Sequence, residues 1–312
     1  MNQSQKTLEQ YLNYCQFQKR LDHKTLKAYR IDLNQFFLWN SQKSIECITS
    51  ELLESYIAQL HQQYKPKTVK RKIASLKALF HYLEYKEIID RNPFNKIRVK
   101  FREPVILPKT IPLHTMETFL ATIYAHRSTA KTQYQKRNAL RDIAVAELLF
   151  ATGVRISELC SLKPSDVNLV DRTILIYGKG SKERCMQLGN VDVVNILNEY
   201  KQEFSKEIRD CQHFFATQSG KPLSEQTVRR MINKYCSLAS IEMHITPHMF
   251  RHTFATSLLE ADVDIRYIQE MLGHSSINIT EIYTHVATAK QRDILATKHP
   301  RKRLKVCELL DR

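Results

Sequence analysis

The sequence predicts a two-domain, mainly α-helical protein whose second domain also contains a small β-sheet. Three observations lead to this fold class. The chain has 312 residues, which is longer than one ordinary compact domain. Residues 4–90 carry a helical pattern, and strand-like alternation occurs only later, around residues 172–188. Hydrophobic residues make up 43% of the chain, enough for two cores. We expect a helical domain over residues 1–91, a connector over 92–113 and a larger domain over 114–312.

Four helices are expected in the N-terminal domain, near residues 4–19, 24–39, 49–63 and 67–86. Asp22 is a candidate cap for the second helix, and Leu26, Tyr29 and Leu33 follow it at the spacing of one helix face. The second and fourth helices also carry rows of basic residues: Lys24, Lys27 and Arg30, then Lys67, Lys70 and Lys77. Such a face is usually solvated. One sign on two helices favours contact with DNA phosphates instead.

The connector contains four prolines and several basic residues between Asn92 and Leu113. Prolines and charge favour an extended chain, so we expect a segment that joins two domains able to close around a partner.

The larger domain is expected to mix helices with short strands. Helices are predicted near 115–126, 138–151, 190–204 and 224–239, with a short strand over Phe214 to Thr217. Strands from Arg172 to Tyr177 and from Arg184 to Leu188 would form a hairpin with Lys179 at its tip. Further helices are expected over Ile265 to Leu272 and from Ile277, the latter carrying Tyr283.

The charge balance indicates a polyanionic partner. There are 48 Lys and Arg against 32 Asp and Glu, a net charge of +16. Nucleic acid is the leading expectation, ahead of a membrane surface, although some proteins are basic without any such partner. The first residues are polar and no apolar run approaches the length of a membrane span, so we expect a soluble, cytoplasmic protein without a membrane partner.

Neither a metal nor a nucleotide cofactor is expected. The seven cysteines are scattered without a C-x-x-C pair, which is typical of reduced thiols rather than a zinc site or disulfides. Gly178-Lys-Gly-Ser181 lacks the earlier glycine of a phosphate-binding loop, since position 173 is Thr. Asp262 and Asp264 lie at a helix boundary, where caps are common, so we assign them no metal.

The stretch from Thr246 to Glu260 predicts a helix with a functional end. Thr246 would cap it and Pro247 suits its first turn. His248 and Arg251 lie about one turn apart, while Phe250, Phe254 and Leu258 would bury the other side. A basic pair at a helix N-terminus is a plausible anion site. A structural helix with a chance His and Arg is the alternative.

Five spaced motifs together resemble the tyrosine recombinase (phage integrase) family, in particular its Xer-like branch. They are Gly153-Val-Arg155-Ile-Ser-Glu-Leu159, the turn lysine Lys179, His248-x-x-Arg251-His252, Leu272-Gly-His274 and Tyr283. The resemblance covers the chain from its helical domain to its tail. It implies a core-type DNA-binding domain, a mixed α/β catalytic domain, and a C-shaped clamp on double-stranded DNA.

These residue types suit phosphodiester cleavage. Such chemistry needs a nucleophile, a cationic clamp for the phosphorane and an acid for the departing oxygen. A phenol such as Tyr283 can attack phosphorus, and the guanidiniums of Arg155 and Arg251 match phosphate oxygens. The resemblance assigns Lys179 as the acid, His248 as a proton acceptor and His274 as a hydrogen-bond donor to the phosphate.

Other residues of the motifs have structural alternatives. The family uses the position of Glu158 as a supporting acid, but Glu158 would also serve as a simple ion-pair partner of a nearby base. His252 is expected to be structural.

The resemblance further implies site-specific recombination through a 3′-phosphotyrosyl intermediate without ATP, by a homotetramer on two DNA sites. A second recombinase in the tetramer is an alternative. The tail after His285 would dock on a neighbouring subunit. The chain has no room for an additional N-terminal arm-binding domain, which favours a Xer-like or simple transposon-type enzyme.

Several functions remain open at this point. Chromosome-dimer resolution and integration or excision of a mobile element are not separated, and the target sequence depends on groove-facing side chains and DNA shape. The rival functions are a topoisomerase or telomere resolvase and a non-catalytic DNA-binding regulator.

Overall fold

The computed structural model describes residues 3–40, 44–98, 109–178 and 183–273. The chain divides into two compact units, Met1–Val105 and Ile106–Arg312, and the described residues of each unit form a hydrophobic core of their own. Three of the predicted site residues, Lys179, His274 and Tyr283, lie outside the described residues. The same holds for the helix expected from Ile277 and for the C-terminal tail.

The first unit is built from four α-helices, each within two residues of its predicted bounds. They are α1 (Gln3–Phe17), α2 (His23–Trp39), α3 (Ser50–Gln63) and α4 (Pro66–Tyr85). Asp22 caps α2, since its side chain accepts a hydrogen bond from the backbone N–H of Thr25 at 2.9 Å. Leu33, Phe36, Leu76 and Phe80 from α2 and α4 are fully buried between the helices. The periodic apolar stripes therefore form the core that they predict.

A buried carboxylate ties α2 to α4. Asp32 is 1% exposed and forms ion pairs with Arg71 and with Lys72, whose Nζ lies 3.1 Å from Oδ1. Burying an unpaired carboxylate would lower the free energy of unfolding, and the ion pairs with Arg71 and Lys72 of α4 offset that loss.

The ends of the connector belong to the two cores. A short 3₁₀ helix, Pro93–Lys96, packs Phe94 against Phe80, and Ser50 Oγ donates to Pro93 O at 2.8 Å. These residues were expected at the start of an extended connector, but their aromatic and aliphatic side chains are buried in the first core. At the other end Ile111 is buried in the second core.

The second unit combines eight α-helices with one small sheet in the described residues. The helices are α5 (Leu113–Ser128), α6 (Gln133–Thr152), α7 (Ile156–Ser161), α8 (Val191–Glu203), α9 (Ser205–Cys211), α10 (Glu225–Leu238), α11 (Pro247–Glu260) and α12 (Ile265–Leu272). Helix α6 is the centre of this core. It is buried along most of its length from Ala139 to Thr152, and it packs against α5, α8 and α11.

The sheet has three antiparallel strands in sequence order. They are β1 (Val167–Asn168), β2 (Thr173–Tyr177) and β3 (Glu183–Gln187), with Thr173 opposite Gln187 and Tyr177 opposite Glu183. The hairpin was predicted, whereas β1 was not, because two residues are too few to show alternation.

The strand predicted over Phe214 to Thr217 is wrong. Phe214 donates its backbone N–H to Leu162 O at 2.7 Å, and only Ala216 forms a bridge, with Pro222. The apolar run reflects burial beside Tyr200, whose hydroxyl donates to Phe214 O at 3.1 Å and accepts from Ala216 N at 2.9 Å.

The apolar seam of α11 divides between two clusters. Phe250 is fully buried in the main core, whereas Phe254 and Leu258 are partly buried with Ile268 and Leu272 of α12. Asp264 caps α12 by accepting from Arg266 N at 2.8 Å, as its position at a helix boundary predicted. Helix α12 is thus held against α11 by a small core of its own. Among the described helices, none is long and apolar enough to cross a bilayer.

Candidate active site

A left-handed glycine places the first candidate arginine. Helix α6 ends at Gly153, whose φ is +60° and whose N–H bonds to Leu149 O. A Cβ here would lie 2.7 Å from Cδ1 of Phe254, so the position needs glycine for space as well as for φ. The turn reverses the chain, and Arg155 then stands at the N-cap of α7.

The Glu158 carboxylate accepts hydrogen bonds from both the backbone and the side chain of Arg155. The Arg155 N–H donates to Glu158 Oε2 at 2.9 Å, and Nη1 donates to Oε1 at 2.7 Å. Glu158 is 6% exposed, while the Arg155 side chain keeps about a third of its surface in solvent. Burial would raise the pKa of Glu158, but hydrogen bonds from Arg184 and from the Arg155 backbone outweigh it and hold the pKa below its ordinary value.

Arg184 is a site residue that the sequence analysis did not single out. From β3, Arg184 donates two hydrogen bonds to the Glu158 carboxylate. Nη1 lies 3.1 Å from Oε1 and Nη2 lies 2.7 Å from Oε2. Its Nε donates to Met271 O at 2.8 Å, near the C-terminal end of α12. A signal for it was present: Arg184 and Met186 alternate onto the inward face of β3, where a basic residue needs a partner.

Arg251 is buried and bridges two distant turns. Nη1 donates to Gly153 O at 2.9 Å, and Nη2 donates to Leu272 O at 2.5 Å. Only 5% of the residue is exposed. The last carbonyls of a helix lack intrahelical partners and carry partial negative charge. The C-terminal end of α12 can therefore accept hydrogen bonds from Arg184 and Arg251.

These contacts close into a circuit, which we call the arginine ring. It runs from Arg155 through Glu158 and Arg184 to the Met271–Leu272 carbonyls, and back through Arg251 to the Gly153 turn. Three guanidiniums and one carboxylate give it a formal charge of +2, since three positive charges face one negative. A buried cationic cluster of planar forks is suited to a phosphate.

The start of α11 agrees only partly with the sequence prediction. Pro247 is in the first turn and Thr246 occupies the N-cap position, both as expected, but the Thr246 side chain makes no capping hydrogen bond. His248 is exposed in the first turn. His252, one turn later, is half-buried, and its pKa is lowered by burial and then by the neighbouring His248 and Arg251. A lowered pKa favours the neutral form of this imidazole, and the structural role of His252 stays a prediction.

The remaining predicted site residues are arranged as follows. The structure brings Arg155, Glu158 and Arg251 together, and His248 lies on the same helix as Arg251. In sequence, Lys179 lies between β2 and β3, and His274 directly follows Gly273, the residue after α12. Within the part of the chain that the structure describes, no group of three metal-binding side chains occurs.

The predicted DNA-binding residues are all exposed in the first unit. They are Lys24, Lys27, Arg30, Lys67, Lys70 and Lys77. Arg30 forms an ion pair with Glu9, and Lys77 lies 5.8 Å from the ring centre of Phe94. Exposure is compatible both with solvated faces and with phosphate contact, so their role stays a prediction.

Comparison with known proteins identifies the class. A family model of the phage integrase family matches residues 119–290, and a model of the phage integrase N-terminal SAM-like domain matches residues 8–87. A tyrosine recombinase of Agathobacter rectalis is 70% identical over 302 residues, covering 97% of this chain and 99% of that protein. Tyrosine recombinase XerD of Halalkalibacterium halodurans is 32% identical over 303 residues, covering 94% and 97%.

Solved structures share the fold. The XerH site-specific recombinase bound to palindromic difH substrate aligns with a TM-score of 0.74 at 23% identity, covering 93% of this chain and 84% of that one. A lambda integrase tetramer bound to a Holliday junction aligns with a TM-score of 0.66 at 19% identity, covering 87% and 74%.

The chain therefore belongs to the phage integrase family of tyrosine recombinases, DNA-binding enzymes that cleave and rejoin DNA. Its similarity to the Xer recombinases confirms the branch that the motifs predicted.

Proposed function

We propose that Tyr283 attacks a backbone phosphate of double-stranded DNA and leaves a 3′-phosphotyrosyl bond and a free 5′ hydroxyl. The phenol oxygen forms a bond to phosphorus while the bond from phosphorus to the 5′ oxygen breaks. The phenol proton passes to His248, and the departing oxygen receives a proton from Lys179. Attack by a 5′ hydroxyl of another strand reverses the step and rejoins the DNA. Bond energy is conserved, so ATP is not needed.

The arginine ring is the observation that carries this proposal. Arg155 and Arg251 are far apart in sequence, yet one hydrogen-bonded circuit links them through the Gly153 turn. Two fixed guanidiniums can bind the non-bridging oxygens and stabilise the charge of the phosphorane, and losing one such donor costs about 100-fold or more in rate. In this scheme Glu158 supports Arg155 from behind, and His274 adds a hydrogen bond to the phosphate.

A nucleophile variant tests the proposal. Sheared genomic DNA of the encoding organism is incubated with the protein, covalent adducts are isolated under denaturing conditions, and the attached DNA is sequenced. The wild-type protein should form adducts at a defined sequence. Tyr283→Phe should bind a duplex of that sequence with wild-type affinity and form no adduct.

Tyr267→Phe is the matched control, because Tyr267 is an exposed tyrosine of α12. It should form adducts at the wild-type rate. Adduct formation by Tyr283→Phe would contradict the assignment of the nucleophile.

We further propose that a homotetramer acts on two DNA sites, with a second recombinase as an alternative partner. The support is the shared fold with lambda integrase, which forms a tetramer on a Holliday junction. A plasmid carrying two copies of the adduct-forming sequence should give recombinants. Only relaxed or hairpin products would favour a topoisomerase or telomere resolvase instead. Deleting residues from about 290 onward should weaken tetramer formation on this DNA.

The biological role follows from where the sites lie. Adducts at the ends of a mobile element would assign integration and excision, and adducts at one chromosomal locus would assign chromosome-dimer resolution.

A further inference from the structure

Arg184 occupies the one position of the arginine ring that contacts both a buried acid and the end of α12. Its side chain is only 10% exposed. Its three hydrogen bonds use Nε, Nη1 and Nη2, so each nitrogen of the guanidinium has a partner. Three of its five N–H donors are therefore engaged inside the ring.

The two partners of Arg184 each lead to one candidate phosphate-binding arginine. Through Glu158 it acts on Arg155, because that carboxylate holds both the backbone N–H and Nη1 of Arg155. Through Met271 it acts on Arg251, because the next carbonyl, that of Leu272, accepts from Arg251.

Close packing fixes the second of these links. A Cβ on Gly273 would lie 2.9 Å from Nη1 and 3.2 Å from Cδ of Arg184, so the backbone of this left-handed turn rests directly on the arginine side chain. The end of α12 therefore cannot shift toward β3 while Arg184 is in place.

We infer that Arg184 is a positioning residue: it sets the spacing of Arg155 and Arg251 by joining Glu158 to the C-terminal carbonyls of α12. This rests on the proposed function, since the spacing matters only if both arginines bind the reacting phosphate. A displacement of about 1 Å in such groups costs on the order of 100-fold in rate.

The first experiment measures single-turnover adduct formation and duplex affinity separately, on the duplex that the wild-type protein labels. Arg184→Met should lower the cleavage rate by about 10–100-fold and leave affinity within about threefold. Arg184→Lys should also lose about tenfold, because an ammonium cannot bind both carboxylate oxygens and a carbonyl in a planar fork. Arg172→Met, an exposed arginine just before β2, is the matched control and should cleave at the wild-type rate.

A double-mutant cycle distinguishes positioning from general damage. If Arg184 acts through Glu158, Arg184→Met should cost much less in a Glu158→Gln background than in the wild-type protein. Hydrogen exchange without DNA gives a second readout that needs no activity. Arg184→Lys should speed exchange of the Arg155 amide, which Glu158 holds, and leave the α8 amides unchanged.

The outcomes separate two failures. If the wild-type protein forms no adduct, the proposed function fails. If it forms adducts and a folded Arg184→Lys variant cleaves at the wild-type rate, or the two substitutions are additive, this inference alone is overturned.

Discussion

At the scale of single residues, the second unit depends on groups whose removal leaves a specific physical defect. Gly153 combines a left-handed φ with contact against Phe254, and Tyr200 satisfies two buried backbone groups with one hydroxyl. Neither property is visible in a composition or a periodicity, yet each fixes the path of a whole turn.

Replacing Gly153 tests the first of these. Gly153→Ala should destabilise the second unit by about 1–3 kcal/mol, because Ala is strained at φ +60° and its Cβ meets the Phe254 ring. Urea denaturation would measure the loss. Gly189→Ala is the control, since nothing lies within 4 Å of a Cβ there, and it should change stability by less than about 0.5 kcal/mol. Equal effects of the two changes would refute this account.

Replacing Tyr200 tests the contribution of its two hydrogen bonds. Tyr200→Phe keeps the ring but leaves Phe214 O without its donor and Ala216 N without its acceptor, at a cost of about 1–3 kcal/mol. Thermal denaturation of this variant should be compared with that of Tyr177→Phe, whose side chain is exposed and should be nearly neutral. A Tm equal to the wild-type value for Tyr200→Phe would mean that other groups replace both hydrogen bonds.

At the scale of elements, the long helices, the hairpin of β2 and β3 and the short helix α12 were predictable, whereas β1 and the conformation at Phe214 were not. A helix such as α4 repeats its apolar stripe over several turns, so periodicity finds it within a residue or two. The run at Phe214 looked like a strand because it is apolar, but Phe214 N donates to Leu162 O and Ala216 N donates to the Tyr200 hydroxyl, so the run forms only an isolated bridge between Ala216 and Pro222. The contacts of Arg184 were not predicted, because its partners Glu158 and Met271 are distant in sequence and only the folded chain brings them near it. The motifs located Arg155 and Arg251, whereas their linkage through carbonyls could not be predicted.

The packing of α2 on α4 gives a prediction at this scale. Asp32→Asn leaves Lys72, which is almost fully buried, without its opposite charge, and should destabilise the first unit by about 3–5 kcal/mol. A single unfolding transition would not report on one unit of a two-unit chain, so hydrogen exchange within α4 is the suitable measurement.

Glu9→Gln is the matched comparison, since it removes the exposed ion pair with Arg30. Exposed pairs contribute about 0–1 kcal/mol, so α4 exchange should stay close to that of the wild-type protein. Equal protection of α4 in Asp32→Asn and Glu9→Gln would show that the buried pair contributes little.

At the scale of the whole molecule, the net charge of +16 favours association with a polyanion such as DNA. Affinity for duplex DNA should fall steeply as salt rises, because each phosphate contact releases counterions. If Lys67, Lys70 and Lys77 contact phosphates, changing all three to Gln should reduce the slope of log affinity against log salt by about 0.9 per contact.

A variant with the same charge change provides the comparison. Lys201, Lys206 and Arg209 are exposed on α8 and α9, and replacing them with Gln removes three charges from the second unit. Equal slopes for the two triple variants, measured by fluorescence anisotropy over a salt series, would count against specific contact by α4.

The closed form of the arginine ring also bears on entropy. A flexible side chain that becomes ordered on binding loses about 0.5–1.5 kcal/mol of rotamer freedom. Arg251 is buried and bonded to two carbonyls, and Arg155 is held by Glu158, so much of that freedom is already lost when the chain folds. A phosphate arriving between them would meet dipoles and charges that need little reorientation as its own charge grows. If both arginines bind the reacting phosphate, the same hydrogen bonds contribute to folding stability and to the reaction rate.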